Sequence, residues 1–246
     1  MVGRVRRVKP TRQHQAGMAL IVVLLTIGLL SATALGLALS STLTRLTAAN
    51  YDEAVALANA SESALELAAR DLAMVDEWSN VLAGAQASSL VDGAPGSRTV
   101  GHGVTIDLVR LTHQLTCGRN APCTDAQVRA PVLDRPWGAN NPRWRLFVHQ
   151  SLPDIPMPAG APPPYVVVWV GDDAGETDGD PLTDGAGPGG EGRYTVRARA
   201  ESFGPRGGRY ALEAELARVC VEDGEAERCA PGLRVQSWRA VGSGHP

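Results

Sequence analysis

The sequence predicts an α+β protein. One long N-terminal helix, apolar over its first half, packs through its second half on an antiparallel β-sheet head. Three observations predict this. No Lys, Arg, Asp or Glu lies between Arg12 and Arg45, and helical spacing of apolar residues continues well past that run. After about residue 90 the pattern changes to two-residue alternation punctuated by glycine and proline. With the N-terminal segments set aside, the 246 residues leave one globular domain.

Residues 1–17 read as a leader that belongs outside the fold. It carries Arg4, Arg6, Arg7, Lys9 and Arg12 with no acid, which holds residues 1–16 on the cytoplasmic side. Residues 18–44 read as the transmembrane half of the helix. As a helix they are roughly 40 Å long, against about 30 Å of bilayer core. The small residues Gly28, Ala32, Gly36 and Ser40 recur at four-residue steps, a packing stripe that lets helix backbones approach closely in lipid. The bland reading is that small residues are simply common in membrane helices. A secretory signal is the rival for the whole segment. Residues 18–30 would be its apolar region and Ala32-Thr33-Ala34 its cleavage site, releasing a soluble periplasmic module from Leu35. The anchored reading is preferred because the helical pattern runs through that site.

Residues 45–84 read as the amphipathic half, the helix as a whole running from Met18 to about Leu82. Leu46, Ala49, Leu57, Ala60, Ala64, Leu67, Ala68 and Leu72 mark the packing face, with Arg45, Asp52, Glu53, Glu62, Glu66 and Arg70 mostly on the solvated side. Residues 85–246 form the head. A strand is predicted over 98–111, another over Arg143–Gln150 with Trp144, Leu146 and Val148 on one face, and a central one over Tyr165–Val170, apolar on both faces. The proline-rich stretch 153–164 cannot be regular sheet. Tyr194–Ser202 and Arg209–Val219 predict a hairpin. Its register sets Arg199 across from Glu213 and Arg197 across from Glu215 on a wet face, with Val196, Ala198 and Ala200 opposite Leu216, Ala214 and Leu212 inside. A last strand covers Leu233–Ala240.

The acidic loop Gly171–Asp184 carries the densest chemistry. Asp172, Asp173, Asp178, Asp180 and Asp184 offer oxygens of the kind calcium takes. Their spacing does not fit an EF-hand, and a solvated acidic loop without any cofactor is the first reading, calcium the second. Gly187-Pro188-Gly189-Gly190-Glu191-Gly192 spells G-x-G-x-x-G but precedes a strand among acids, so it reads as a turn rather than a nucleotide site. The five histidines are scattered, none in H-E-x-x-H, and no serine stands in G-x-S-x-G, so no enzyme is predicted. Net charge is −3, with the basic residues of the leader set against an acidic remainder; nucleic acid, which needs a basic patch, is not indicated as a partner. Four cysteines allow three pairings; each close pair brackets a turn-rich loop, so local bridges Cys117–Cys123 and Cys220–Cys229 are preferred, ahead of a zinc site.

The junction Gly17-Met18-Ala19-Leu20-Ile21-Val22 after a short basic leader resembles the site at which type IV prepilins are cut. Ala49-Asn50-Tyr51-Asp52, followed by Ala60, Glu62, Ala64 and Leu65, extends the likeness over about the first third of the chain. The chain is similar to PilX-like minor pilins and, more distantly, to K-type minor pseudopilins of type II secretion. The resemblance implies a type IV pilin-like fold, cleavage after Gly17 by prepilin peptidase and methylation of the Met18 amine. It implies a protein of the inner membrane with a periplasmic head, found at the pilus tip after assembly. Partners would be other minor pilins, the major pilin and a PilY-type tip adhesin, in a filament serving adhesion, motility or DNA uptake. Cys220 and Cys229 resemble the pair that closes a pilin's C-terminal loop. One departure is Val22, where major pilins carry a glutamate; an apolar fifth residue points toward the first subunit of a filament. K-type pseudopilins usually carry a large extra helical domain, for which no pattern is present after residue 90.

Overall fold

The computed structural model describes residues 15–101, 103–157, 160–176, 178–185, 194–223, 226–229 and 232–242. Its side-chain description covers those of them within 17–220 and 232–242. Helix α1 spans Gln15–Ala73, and the chain divides into two compact units between Asn50 and Tyr51.

In the first unit α1 is long and apolar enough to cross a membrane. Its large side chains from Met18 to Leu46 are all exposed. The hydroxyls of Thr26, Thr33, Thr42 and Thr44 donate to the carbonyls of Val23, Leu30, Ala38 and Ser40, so these polar groups are satisfied within the helix itself. That is the condition lipid imposes.

The second unit opens with the rest of α1. Ala60, Ala64, Ala68 and Leu72, together with Leu57, are buried on one face. Glu53 departs from the solvated face predicted for it. It is buried, paired at 2.7 Å with Arg206 and packed against Gly204 and Gly208 of the hairpin turn. Leu46, predicted for the packing face, is exposed.

The helix ends at Ala73, nine residues short of Leu82, and α2 spans Trp78–Leu82. Side chains take the carbonyls that a longer helix would use. The Trp78 indole donates to Leu72 O at 3.0 Å, and Arg218 donates to the carbonyls of Leu72, Val75 and Asp76. The last turn tightens, with Met74 N and Val75 N donating to Asp71 O and Leu72 O, and the side chains satisfy the carbonyls left over at the helix end.

The strand predicted over 98–111 is instead β1 (Ser97–Gly101), β2 (Val104–Asp107) and helix α3 (Leu108–Cys117). Gly101 and Gly103 both have positive φ and turn the chain, which alternation alone does not reveal. Asp107 then caps α3, accepting from Arg110 N at 3.0 Å. A disulfide joins Cys117, the last residue of α3, to Cys123. The capping box of Thr124 and Gln127 starts α4 (Asp125–Arg129), and a 3-10 turn covers Gly138–Asn140.

The main sheet is antiparallel, in the order β3 (Arg145–Ser151), β4 (Tyr165–Asp172), β5 (Thr195–Phe203), β6 (Arg209–Ala217) and β9 (Arg234–Val241). Between β6 and β9, β7 (Cys220–Asp223) and β8 (Ala226–Cys229) form a separate ribbon with Cys220 opposite Cys229, and Cys220 is disulfide-bonded. A bulge in β3 between Leu146 and Val148 corrects the predicted face: Trp144 and Leu146 pack on one side of the sheet, Val148 with Phe147 on the other.

All eight residues of β4 are buried. Val166, Val168 and Val170 meet the alanine face of α1, while Tyr165, Val167 and Trp169 meet a third layer built from β1, β2 and α3. Trp169 Nε1 donates to Thr112 Oγ1 of α3 at 2.8 Å. The β5–β6 register is as the charges predicted, with Arg199 opposite Glu213 and Ala198 opposite Ala214. The charged face is not wet, however. Glu201 and Glu213 are buried, Trp137 and Trp144 cover Arg197, and the closest ion pairs are not the directly opposite ones: Arg197 pairs diagonally with Glu213, and Arg199 pairs along its own strand with Glu201.

Candidate cation site

Strand β4 delivers Asp172 into the interior as its last residue. The preceding Gly171 lies so close to Pro142 and Trp144 that a Cβ there would sit 3.0 Å from the proline ring. This close approach holds the strand end in place. The chain then reverses. Asp173 Oδ1 accepts from Gly175 N at 3.0 Å and Asp173 O from Glu176 N at 3.2 Å, which brings Glu176 back beside Asp172. Asn140, at the end of the 3-10 turn, donates through Nδ2 to Glu176 O.

One oxygen each from Asp172, Glu176 and Asp178 lies within 4.8 Å of the other two. Asp172 and Glu176 are each 1% exposed, and Asp178 is at the surface. With both carboxyls ionised, no donor among the described residues reaches Asp172 Oδ1, either carboxylate oxygen of Glu176, or the buried Asn140 Oδ1; a proton on one of the two carboxyls would be shared between them. Buried carboxylates without donors are costly, so they hold either a proton or a cation. Burial, and next the charge of Glu176, pushes the Asp172 carboxyl up to about 9. Burial likewise pushes Glu176 up to about 7, with the charges of Asp178, Asp184 and Asp173 acting in the same direction against a lowering contact from Asp172. The structure thus groups two buried acids with one at the surface, all offering oxygen ligands.

This set differs from the five aspartates read from the sequence. Asp173 and Asp180 accept from the backbone N–H groups of Gly175 and Leu182 and shape turns. Asp184 accepts from Tyr194 N at 2.8 Å. Glu176 takes their place. Sequence reasoning passes over it because nothing in the local pattern marks a glutamate in an acidic, glycine-rich loop as buried. Gly185 closes the other side: a methyl group there would run into the Asp178 carboxylate.

A second polar cluster fixes the segment after α2. Asp92 accepts from Arg98 at 2.9 Å and from the Tyr165 hydroxyl at 3.0 Å, and lies 2.9 Å from Nδ1 of the buried His149. Burial alone would raise the Asp92 carboxyl, but these three partners hold it below the usual carboxylate range. The same arrangement pushes the Tyr165 phenol well up, by burial first and by Asp92 second.

Gly17, Met18 and Val22 lie in α1, the latter two exposed. In the small-residue stripe a methyl group added at Gly28 or Gly36 would meet nothing within 4 Å, and Ala32 and Ser40 are exposed. The G-x-G-x-x-G run at 187–192 falls outside the described residues. No protein-family model, no curated protein and no solved structure matches the chain.

Proposed function

We propose that the chain is a PilX-like minor pilin. In this reading prepilin peptidase cuts after Gly17 and methylates Met18. The apolar helix then leaves the inner membrane for the helical bundle of a type IV pilus, where the protein primes assembly and sits in the tip complex. Its partners are other minor pilins, the major pilin and a PilY-type tip adhesin. The observation that carries the reading is the basic-to-apolar junction at Gly17-Met18, leading into a helix whose exposed apolar half continues as one covalent element into the helix of the head. Val22 lets this subunit occupy a first position, since it needs no charge partner below it. The mechanism is a change of apolar solvent, from lipid to neighbouring helices.

Mass spectrometry of the mature N-terminus tests it. Co-expression with prepilin peptidase is expected to yield N-methylated Met18 on membrane-associated protein. A chain that begins at Leu35 and stays in the soluble fraction sinks the proposal and supports a released periplasmic module.

A further inference from the structure

We propose that Asp172, Glu176 and Asp178 form a calcium site that pins the acidic loop to the end of β4. The surface acid alone would mean little; what points to a ligand is the pair behind it. Two carboxylates that are 1% exposed present three oxygens without a donor among the described residues, and a fourth orphaned oxygen, Asn140 Oδ1, lies beside Gly179, the residue after Asp178. A folded protein does not usually leave so many buried acceptors unanswered in one place.

The donor chemistry selects the ion. All candidate ligands are oxygens, which excludes the softer thiolate and imidazole sites of zinc or copper. The three carboxylate oxygens lie within 4.8 Å of one another, inside the roughly 5 Å that separates oxygens on opposite sides of a calcium ion. Three carboxylates, each mono- or bidentate, supply up to about six of the roughly six to eight oxygens calcium takes. Magnesium keeps several waters and takes one or two carboxylates, so a largely dehydrated corner built from protein oxygens suits it less.

The same atoms explain what the ion would do. Asp172 belongs to the sheet, Glu176 is tied by its carbonyl to Asn140 of the 3-10 turn, and Asp178 belongs to the outer loop. One ion would therefore tie the outer loop to the end of the sheet and, through the Glu176 carbonyl, to the 3-10 turn. This proposal does not rest on the pilin reading, and its readout needs no filament.

The test is thermal unfolding of the full chain in detergent, in millimolar calcium and in chelator. Calcium well above its dissociation constant is expected to raise Tm by about 3 °C or more. Titration calorimetry is expected to show one site per chain. Asp178→Ala removes the exposed ligand together with the acceptor of Asp180 N in the surface turn, and it is expected to weaken calcium binding at least about tenfold, as loss of one charged ligand does. Glu176→Gln is expected to do the same and to raise Tm in chelator, since it relieves the buried charge. Three results overturn the proposal: the wild-type Tm is the same in calcium and in chelator, magnesium at equal concentration gives an equal shift, or Asp178→Ala keeps wild-type calcium affinity.

Discussion

The Arg218 guanidinium carbon lies 4.8 Å from the centre of the Trp78 ring, and its nitrogens donate to the last carbonyls of α1 and the turn beyond. A residue just past the end of β6 therefore closes the helix that opens the head. Arg218→Ala removes a cation–π contact and a helix-end cap, each about 1 kcal/mol, for a loss of about 2 kcal/mol. Arg218→Lys keeps the charge without the planar fork and is expected to recover about half. Urea unfolding of the full chain measures both, and a lysine variant as stable as wild type would show that charge alone matters.

The hairpin turn gives a coupled prediction. Gly204 packs against the Glu53 carboxylate and Leu57, so Gly204→Ala must displace the Glu53–Arg206 pair. A loss of about 2 kcal/mol is expected. In a Glu53→Ala background the same substitution is expected to cost less by at least about 0.5 kcal/mol, because the nearer of the two obstacles is gone and only Leu57 remains. Strict additivity in the double-mutant cycle would contradict the contact.

Glu201 is 1% exposed and serves both Arg199 at 2.7 Å and Arg209. Removing it strands two arginines, of which Arg199 keeps only a more distant acid, Glu213 at 3.8 Å. Both arginine side chains retain some solvent contact, so Glu201→Ala is expected to cost about 2–3 kcal/mol, below the full penalty for an isolated buried charge. Equilibrium unfolding compares it with Glu215→Ala, an acid on the neighbouring strand with no buried arginine pair, which is expected to cost under about 0.5 kcal/mol.

Acid sensitivity should report Asp92. Its folded-state carboxyl titrates below the ordinary value, so the unfolded chain binds the proton more readily. The stability that Asp92 contributes is then complete above about pH 4 and is lost as pH falls through its depressed folded-state pKa. Tryptophan fluorescence at fixed urea is expected to show this loss in the wild type and a flatter profile in Asp92→Asn. The variant is expected to be about 1–2 kcal/mol less stable at neutral pH, a figure already reduced for partial exposure.

Much of the head can be read from residue order because its elements carry two mutually supporting patterns. The β5–β6 register is legible since charges and apolar residues select the same pairing, Arg199 with Glu213 and Ala198 with Ala214. The central place of β4 follows from its unbroken valines. What escapes is decided by long-range contacts. Helix α1 stops at Ala73, where Trp78 and Arg218 both bond the Leu72 carbonyl, and neither the aromatic nor the distant arginine announces that role. Alternation at Val104, Ile106 and Leu108 conceals the switch from β2 to α3, which only the Asp107 cap reveals. In the acidic loop spacing says nothing of burial: of its five aspartates Asp172 and Asp178 lie in the three-acid cluster, and Glu176 joins them, tied by its carbonyl to Asn140, 36 residues away.

Both faces of β4 are covered, by Val166, Val168 and Val170 on one side and by Tyr165, Val167 and Trp169 on the other. The two apolar clusters of the head therefore share a single backbone, and melting either one strips half the cover from the strand that supports its counterpart. Loosening at the third layer should be felt under the helix, so the head is expected to come apart in one cooperative step rather than layer by layer.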